Sequence, residues 1–291
     1  MTGLRSLFRL VVLCAFAASA SAQVDVKLQV ERKSFVAGES VPVTVTVTNQ
    51  SGQDLIFQGT RGGAWIDFTV TSGRGLPMTP AGNAAFGSMK VPLGQAMART
   101  FDLRKLFSLT QMGNYSVYAV IRLPGQTREG FMSNRASFNL DTAAPYWPQR
   151  IGLPGKSGQT RDFKVLNYNN GKRSLLYAQV VDVRTGSALQ THSLGEYLSF
   201  SKPSVTVDNR QTMHVLYMTA PTVWTHARIS PEGSLLGGEY HRGTGGGAPL
   251  LVTSRDGIVQ VGNSIPYDPR AEAEARTQVR KASDRPAFLF H

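Results

Sequence analysis

The stretch Pro203–Met218 reads PSVTVDNRQTMHVLYM. Val205 and Val207 alternate with Ser204 and Thr206, Asp208-Asn209-Arg210 supplies turn chemistry, and Met213–Met218 is a nearly continuous apolar run. Alternation, a polar turn and a second apolar run predict strand, turn, strand. The same grammar recurs on both sides. DFKVLNYNNGKRSLLYAQVVD begins at Asp162 and APLLVTSRDGIVQVGNSIPYD at Ala248. Tyr177 corresponds to Tyr217, 40 positions on, and Gly262 follows after 45 more. The first two copies are each expected to add a third strand, AQVVDV (178–183) in one and VWTHARI (223–229) in the other. Glycine turns, RTGSAL and SPEGSLL, then lead to a fourth short strand.

Four short strands per repeat of this length resemble a β-propeller blade, with Met213–Met218 as an inner strand buried on both faces. Propellers close with ~4–8 blades, and residues 161–267 hold two and a fraction. The copies are therefore expected either to pack as a small irregular β-domain or to assemble from several chains. On the third strand of the second copy, Trp224, His226 and Arg228 share one face, opposite Val223, Thr225, Ala227 and Ile229. An aromatic ring, an imidazole and a guanidinium in a row suit a sugar or an anionic ligand, although an ordinary amphipathic outer strand has the same pattern. The glycine-rich loop His241–Pro249 has no helix behind it and is a weak phosphate signal.

Upstream, Val24, Val26, Leu28 and Val30 alternate with polar residues, as do Val41, Val43, Val45 and Val47. Further short alternating runs surround Ile66–Val70, Phe101–Leu103, Tyr115–Ile121 and Ala136–Leu140. Six or seven short strands within residues 23–141 predict an antiparallel sandwich. Gly113 stands two residues before Tyr115 at a strand start, the place of a tyrosine corner. On FVAGESVPVTVTVTNQSGQDLIF and DLRKLFSLTQMGNYSVYAVIRL the segment resembles bacterial exported immunoglobulin-like modules, related to fibronectin type III and proteinase-inhibitor-type sandwiches. The resemblance implies the fold and not an activity, and the cysteine pair and core tryptophan of antibody domains are missing. The long loop Thr71–Gln95 is rich in Gly, Pro and Met. Phe86 and Met89 on it are expected either to meet a partner or to tuck onto the sandwich.

Residues 142–160 carry three prolines and three glycines and read as a linker between the two halves. The Gly155-Lys156-Ser157 triplet inside it is not a phosphate loop, because Arg150 stands where that motif needs glycine. Asp268-Pro269 is a helix start, and residues 268–291 are expected to form a short basic helical tail ending in Phe288-Leu289-Phe290.

The N-terminus, MTGLRSLFRLVVLCAFAASASAQ, has Arg5 and Arg9, an apolar stretch and small residues at Ala20 and Ala22. This is the pattern of a secretory signal over residues 1–22, cleaved near Ala22, with a periplasmic or extracellular destination. Removing Arg5 and Arg9 lowers the formal net charge of +12 by two, and removing Cys14 takes the only cysteine. Without disulfides, burial alone must hold the exported chain. Its dispersed positive charge suits an acidic protein or glycan partner of the envelope and includes no nucleic-acid arm. No further run is long enough for a membrane span.

Catalytic patterns are sparse. The five histidines, His192, His214, His226, His241 and His291, show no metal-ligand spacing, and there is no Gly-x-Ser-x-Gly elbow. Ser254–Gly257, SRDG, matches only part of the turn motif of sialidase-type propellers. No cofactor or metal is expected. The expected function is an exported, non-enzymatic binding or structural module. The alternatives are a polysaccharide-acting hydrolase or its accessory, and a proteinase-inhibitor-type sandwich.

Overall fold

The computed structural model describes residues 24–59, 63–81, 86–124, 130–153 and 158–283. The N-terminal segment read as a secretory signal, the Gly155–Ser157 triplet and the Phe288–Phe290 tail lie outside them. Among the described residues the chain is all-β with one short C-terminal α-helix, and it divides into two compact units. One runs to Asp141 apart from Val36–Glu39; the other comprises Val36–Glu39 and the chain from Thr142 on.

The first unit contains β1 (Val24–Val30), β2 (Ser34–Val36), β3 (Pro42–Asn49), β4 (Leu55–Phe57), β5 (Ile66–Ser72), β6 (Met89–Val91), β7 (Ala96–Asp102), β8 (Gly113–Ile121), β9 (Phe131–Met132) and β10 (Ala136–Asp141). One sheet has the order β1-β3-β7 and another β2-β10-β8-β5, with β9 on β8; β4 and β6 form a two-stranded ribbon. The alternation does what it predicts. Val26 and Leu28 face inward, opposite Val47 and Val45. One core gathers these with Phe35, Trp65, Val117 and Phe138. Each fully buried large apolar side chain contributes roughly 1.5–3 kcal/mol. Tyr115 closes its corner as expected, its hydroxyl donating to the Gln111 carbonyl at 2.8 Å.

The long loop departs from its partner-binding reading. Met89 is buried and pairs with Phe57 as part of the β4–β6 ribbon. Phe86 sits edge-on to Phe68 and Phe101, at centroid distances of 6.3 and 5.3 Å. Trp65 Nε1 donates to the Gly87 carbonyl at 2.8 Å and ties the segment down. Met89 is core and Phe86 packs half-buried against it, because aromatic and thioether surface gains more from the apolar interior than from water.

The second unit contains β11 (Ala144–Gly152), β12 (Thr160–Asn169), β13 (Ser174–Asp182), β14 (Ala188–Glu196), β15 (Ser204–Val207), β16 (Met213–Ala220), β17 (Val223–Ile229), β18 (Leu235–Gly243), β19 (Leu250–Thr253), β20 (Val259–Gly262), β21 (Ser264–Pro266) and α1 (Pro269–Ser283). Its small antiparallel sheets are propeller-like: β11-β12-β13-β14, then β15-β16-β17-β18-β21, then the hairpin β19-β20. Phe163, Val165, Leu176, Ala178 and Val180 from the first sheet share a core with Met213, Val215, Tyr217, Ala227 and Ile229 from the second.

Two expectations need correcting here. Much of the stretch read as linker is strand β11, paired along its length with β12. Prolines are tolerated on an edge strand because one side needs no N–H donor, and a bulge between Pro145 and Trp147 absorbs the misfit. AQVVDV is not a separate strand; Ala178–Asp182 continue β13, and the third strand of that copy is β14. The third copy is a hairpin, as its two expected strands imply, and β21 returns to the edge of the second sheet. The helix starts as predicted, with the Asp268 carboxylate accepting from the Arg270 N–H at 2.8 Å.

Candidate functional site

The second sheet of this unit has one face in the core and one carrying chemistry. β16 is central, and its Met213, Val215 and Tyr217 point into the core. His214, Leu216 and Met218 therefore point the other way. On β17, Ala227 and Ile229 belong to the core, so Trp224, His226 and Arg228 share the opposite face, as the alternation predicts. Register completes the array. His214 lies opposite Arg228, Leu216 opposite His226 and Met218 opposite Trp224. Across the next gap, His226 faces Glu239 and Trp224 faces His241.

The three residues singled out in the sequence are brought together but differ in exposure. Trp224 and Arg228 are partly exposed, whereas His226 is only 4% exposed, like His214. His226 is therefore not a surface contact. Its Nε2 lies 2.9 Å from His214 Nδ1, and the two rings are 19° from parallel with centroids 5.1 Å apart. That combination is an edge-to-edge hydrogen bond between nearly coplanar rings. His214 Nε2 in turn lies 3.2 Å from Asp208 Oδ2.

Asp208 is placed by the turn that opened the sequence reading. Its Oδ1 accepts from the N–H groups of Arg210 at 2.9 Å and Thr212 at 2.7 Å. Oδ2 remains for His214. The carboxylate is acceptor-only, so the His214 tautomer that hydrogen-bonds it holds its proton on Nε2 and accepts at Nδ1. His226 then donates from Nε2 and, as a neutral ring, keeps the lone pair on Nδ1.

His241 has a similar arrangement. Its Nδ1 lies 3.2 Å from Ser264 Oγ, and Ser264 Oγ donates to the Val261 carbonyl at 3.4 Å. With the serine proton so used, His241 donates from Nδ1 and leaves Nε2 bare. That nitrogen is buried with no hydrogen-bond partner. Glu239, more than half exposed, accepts from Arg228 Nη2 at 2.8 Å. Burial, followed by the neighbouring His214, His241 and Arg228, pushes the His226 pKa down to about 4. Burial also lowers that of His241. Both rings are neutral near pH 7.

One nitrogen or oxygen from each of His226, Glu239 and His241 falls within 4.8 Å of the others. Sequence spacing shows none of this. The residues come from two strands and meet by register, and His214 and Asp208 reach them from a third strand and its turn. The signal available was alternation on β17 together with a histidine on each adjoining strand.

No family model matches the chain, and no curated protein matches it. Among solved structures, the sporulation control protein Spo0M from Bacillus subtilis is similar to it at 10% identity, over 58% of this chain and 83% of that one, with a TM-score of 0.28. A likeness this slight assigns neither fold nor function.

Proposed function

We propose that the protein is an exported, non-enzymatic binding module. In this reading an immunoglobulin-like sandwich precedes a propeller-like repeat unit, and the Trp224–Arg228 face of that unit holds an acidic glycan of the envelope or extracellular space. The observation that carries the reading is that face itself. A partly exposed indole and guanidinium stand over buried, hydrogen-bonded histidines. An indole offers a flat apolar platform, a guanidinium pairs with carboxylate or sulfate, and the buried rings hold β16 and β17 in place beneath them. The three-part N-terminal pattern supports export, and the Tyr115 corner with two sheets around one core supports the sandwich.

The test is an array of neutral and acidic glycans probed with the protein and with Trp224→Ala. The reading expects acidic glycans to be retained and the variant to lose at least about tenfold in affinity, since a buried aromatic contact is worth ~1–3 kcal/mol. The circular dichroism spectrum should not change. A blank array, or a Trp224→Ala protein that binds as well as the parent, overturns it.

A further inference from the structure

We infer that His226, His241 and Glu239 form a binding site for a divalent transition-metal ion of the zinc type, in which Asp208–His214 and Ser264 act as the orienting outer partners. The inference does not depend on any glycan partner.

Two neutral imidazoles and a carboxylate are a ligand set for such an ion, with a fourth position left for water or an anionic group. The three groups already converge, each offering an atom within 4.8 Å of the others. Tetrahedral ligands about 2.0–2.1 Å from zinc stand roughly 3.3 Å apart. The remaining closure falls on Glu239, whose side chain is 56% exposed, and on small ring rotations.

The tautomers strengthen the case. A metal-ligating histidine donates its other N–H to a carboxylate, carbonyl or similar acceptor, which fixes the ring and raises its basicity. His226 does so through His214 to the Asp208 carboxylate. His241 does so through Ser264 to the Val261 carbonyl. Each chain ends on a nitrogen with a free lone pair, and that of His241 is buried without any partner. A bare buried acceptor is destabilising unless something occupies it, and a cation satisfies this one.

Arg228 does not block the site. It engages Glu239 Oε1, which leaves the second carboxylate oxygen for the ion, and an ion pair this exposed is weak.

The experiment is calorimetric titration of the untagged, chelator-treated protein with zinc chloride alone. One equivalent should bind. His226→Gln and His241→Gln should each weaken binding at least about 100-fold, and His214→Gln about tenfold, as loss of an outer partner does. His192→Gln should leave affinity unchanged, because His192 lies on β14 and bonds the Gly233 carbonyl. Glu239→Gln decides the matter if the histidine variants fold poorly. It alters an exposed side chain and should cost about tenfold. The inference is overturned if the folded parent shows no saturable binding, if Glu239→Gln binds zinc as tightly as the parent, or if His192→Gln weakens binding as much as the site variants. The probe is the metal alone, so failure on the glycan array leaves this result standing, and the converse also holds.

Discussion

Acidification should destabilise the second unit through His226, at a pH well above the range where carboxylates titrate. An unfolded histidine takes up its proton near pH 6.5, whereas His226 in the fold does so only near 4. The unfolded chain therefore binds more protons between those values. Stability is fully present above about pH 6.5 and falls as the pH drops through that value towards 4, below which this group adds nothing more. Integrating from pH 7 to pH 5 gives a loss of about 2 kcal/mol from this one side chain. The groups around it have been named: His214 and Asp208 on one side, His241 and Glu239 on the other, Arg228 along the same strand. His241, also lowered, adds to the loss in the same direction. Hydrogen-exchange protection of the Met213–Ala220 amides isolates the second unit, and nuclear magnetic resonance titration of the His226 ring reads its pKa directly. His226→Gln retains a donor for His214 and cannot titrate, so its own decrease between pH 7 and pH 5 should be smaller by about 2 kcal/mol. If the His226 ring titrates near 6.5, or the variant loses as much protection as the parent, the reasoning fails.

Other consequences can be checked separately. Met89→Asp places an unpaired charge in the first unit's core and should cost at least about 3 kcal/mol in urea unfolding. Ile56→Asp, on the exposed side of the adjoining strand β4, should stay within about 0.5 kcal/mol; equal effects would return Met89 to the surface. Tyr217→Phe removes the hydroxyl that donates to the Leu194 carbonyl at 2.6 Å and should lower stability by about 1–1.5 kcal/mol, with no change refuting the bond. Phe163→Ala empties the centre of the core shared by the two sheets of the second unit and should cost about 3–5 kcal/mol by the same assay.

Where one side chain in two had to face oil, the sequence was readable. The alternation in Val24–Val30 and Pro42–Asn49 placed both strands and their inner faces. The spacing of Gly113 and Tyr115 marked the corner hydrogen bond, and the alternation along Val223–Ile229 put Trp224, His226 and Arg228 together. The misreadings share a cause. Proline content marks chain that donates few hydrogen bonds, which describes an edge strand such as Ala144–Gly152 as well as a linker. AQVVDV contains valines that fit either the end of one strand or the start of another, and only pairing with Arg161–Val165 decides between them. The histidine array was illegible because contacts across a sheet depend on register. His214, His226 and His241 lie on three strands, and no short-range pattern states which residue stands opposite which. The burial of His226 also escaped notice, because alternation gives the direction of a side chain but not what covers it.

The metal site depends on which nitrogens of His226 and His241 are bare. Long-range proton–nitrogen correlation spectra of the neutral protein without metal report this directly. The structure predicts a proton on Nε2 of His226 and on Nδ1 of His241, with the other nitrogen of each ring unprotonated. The opposite tautomers, or rings that carry both protons at pH 7, would contradict it.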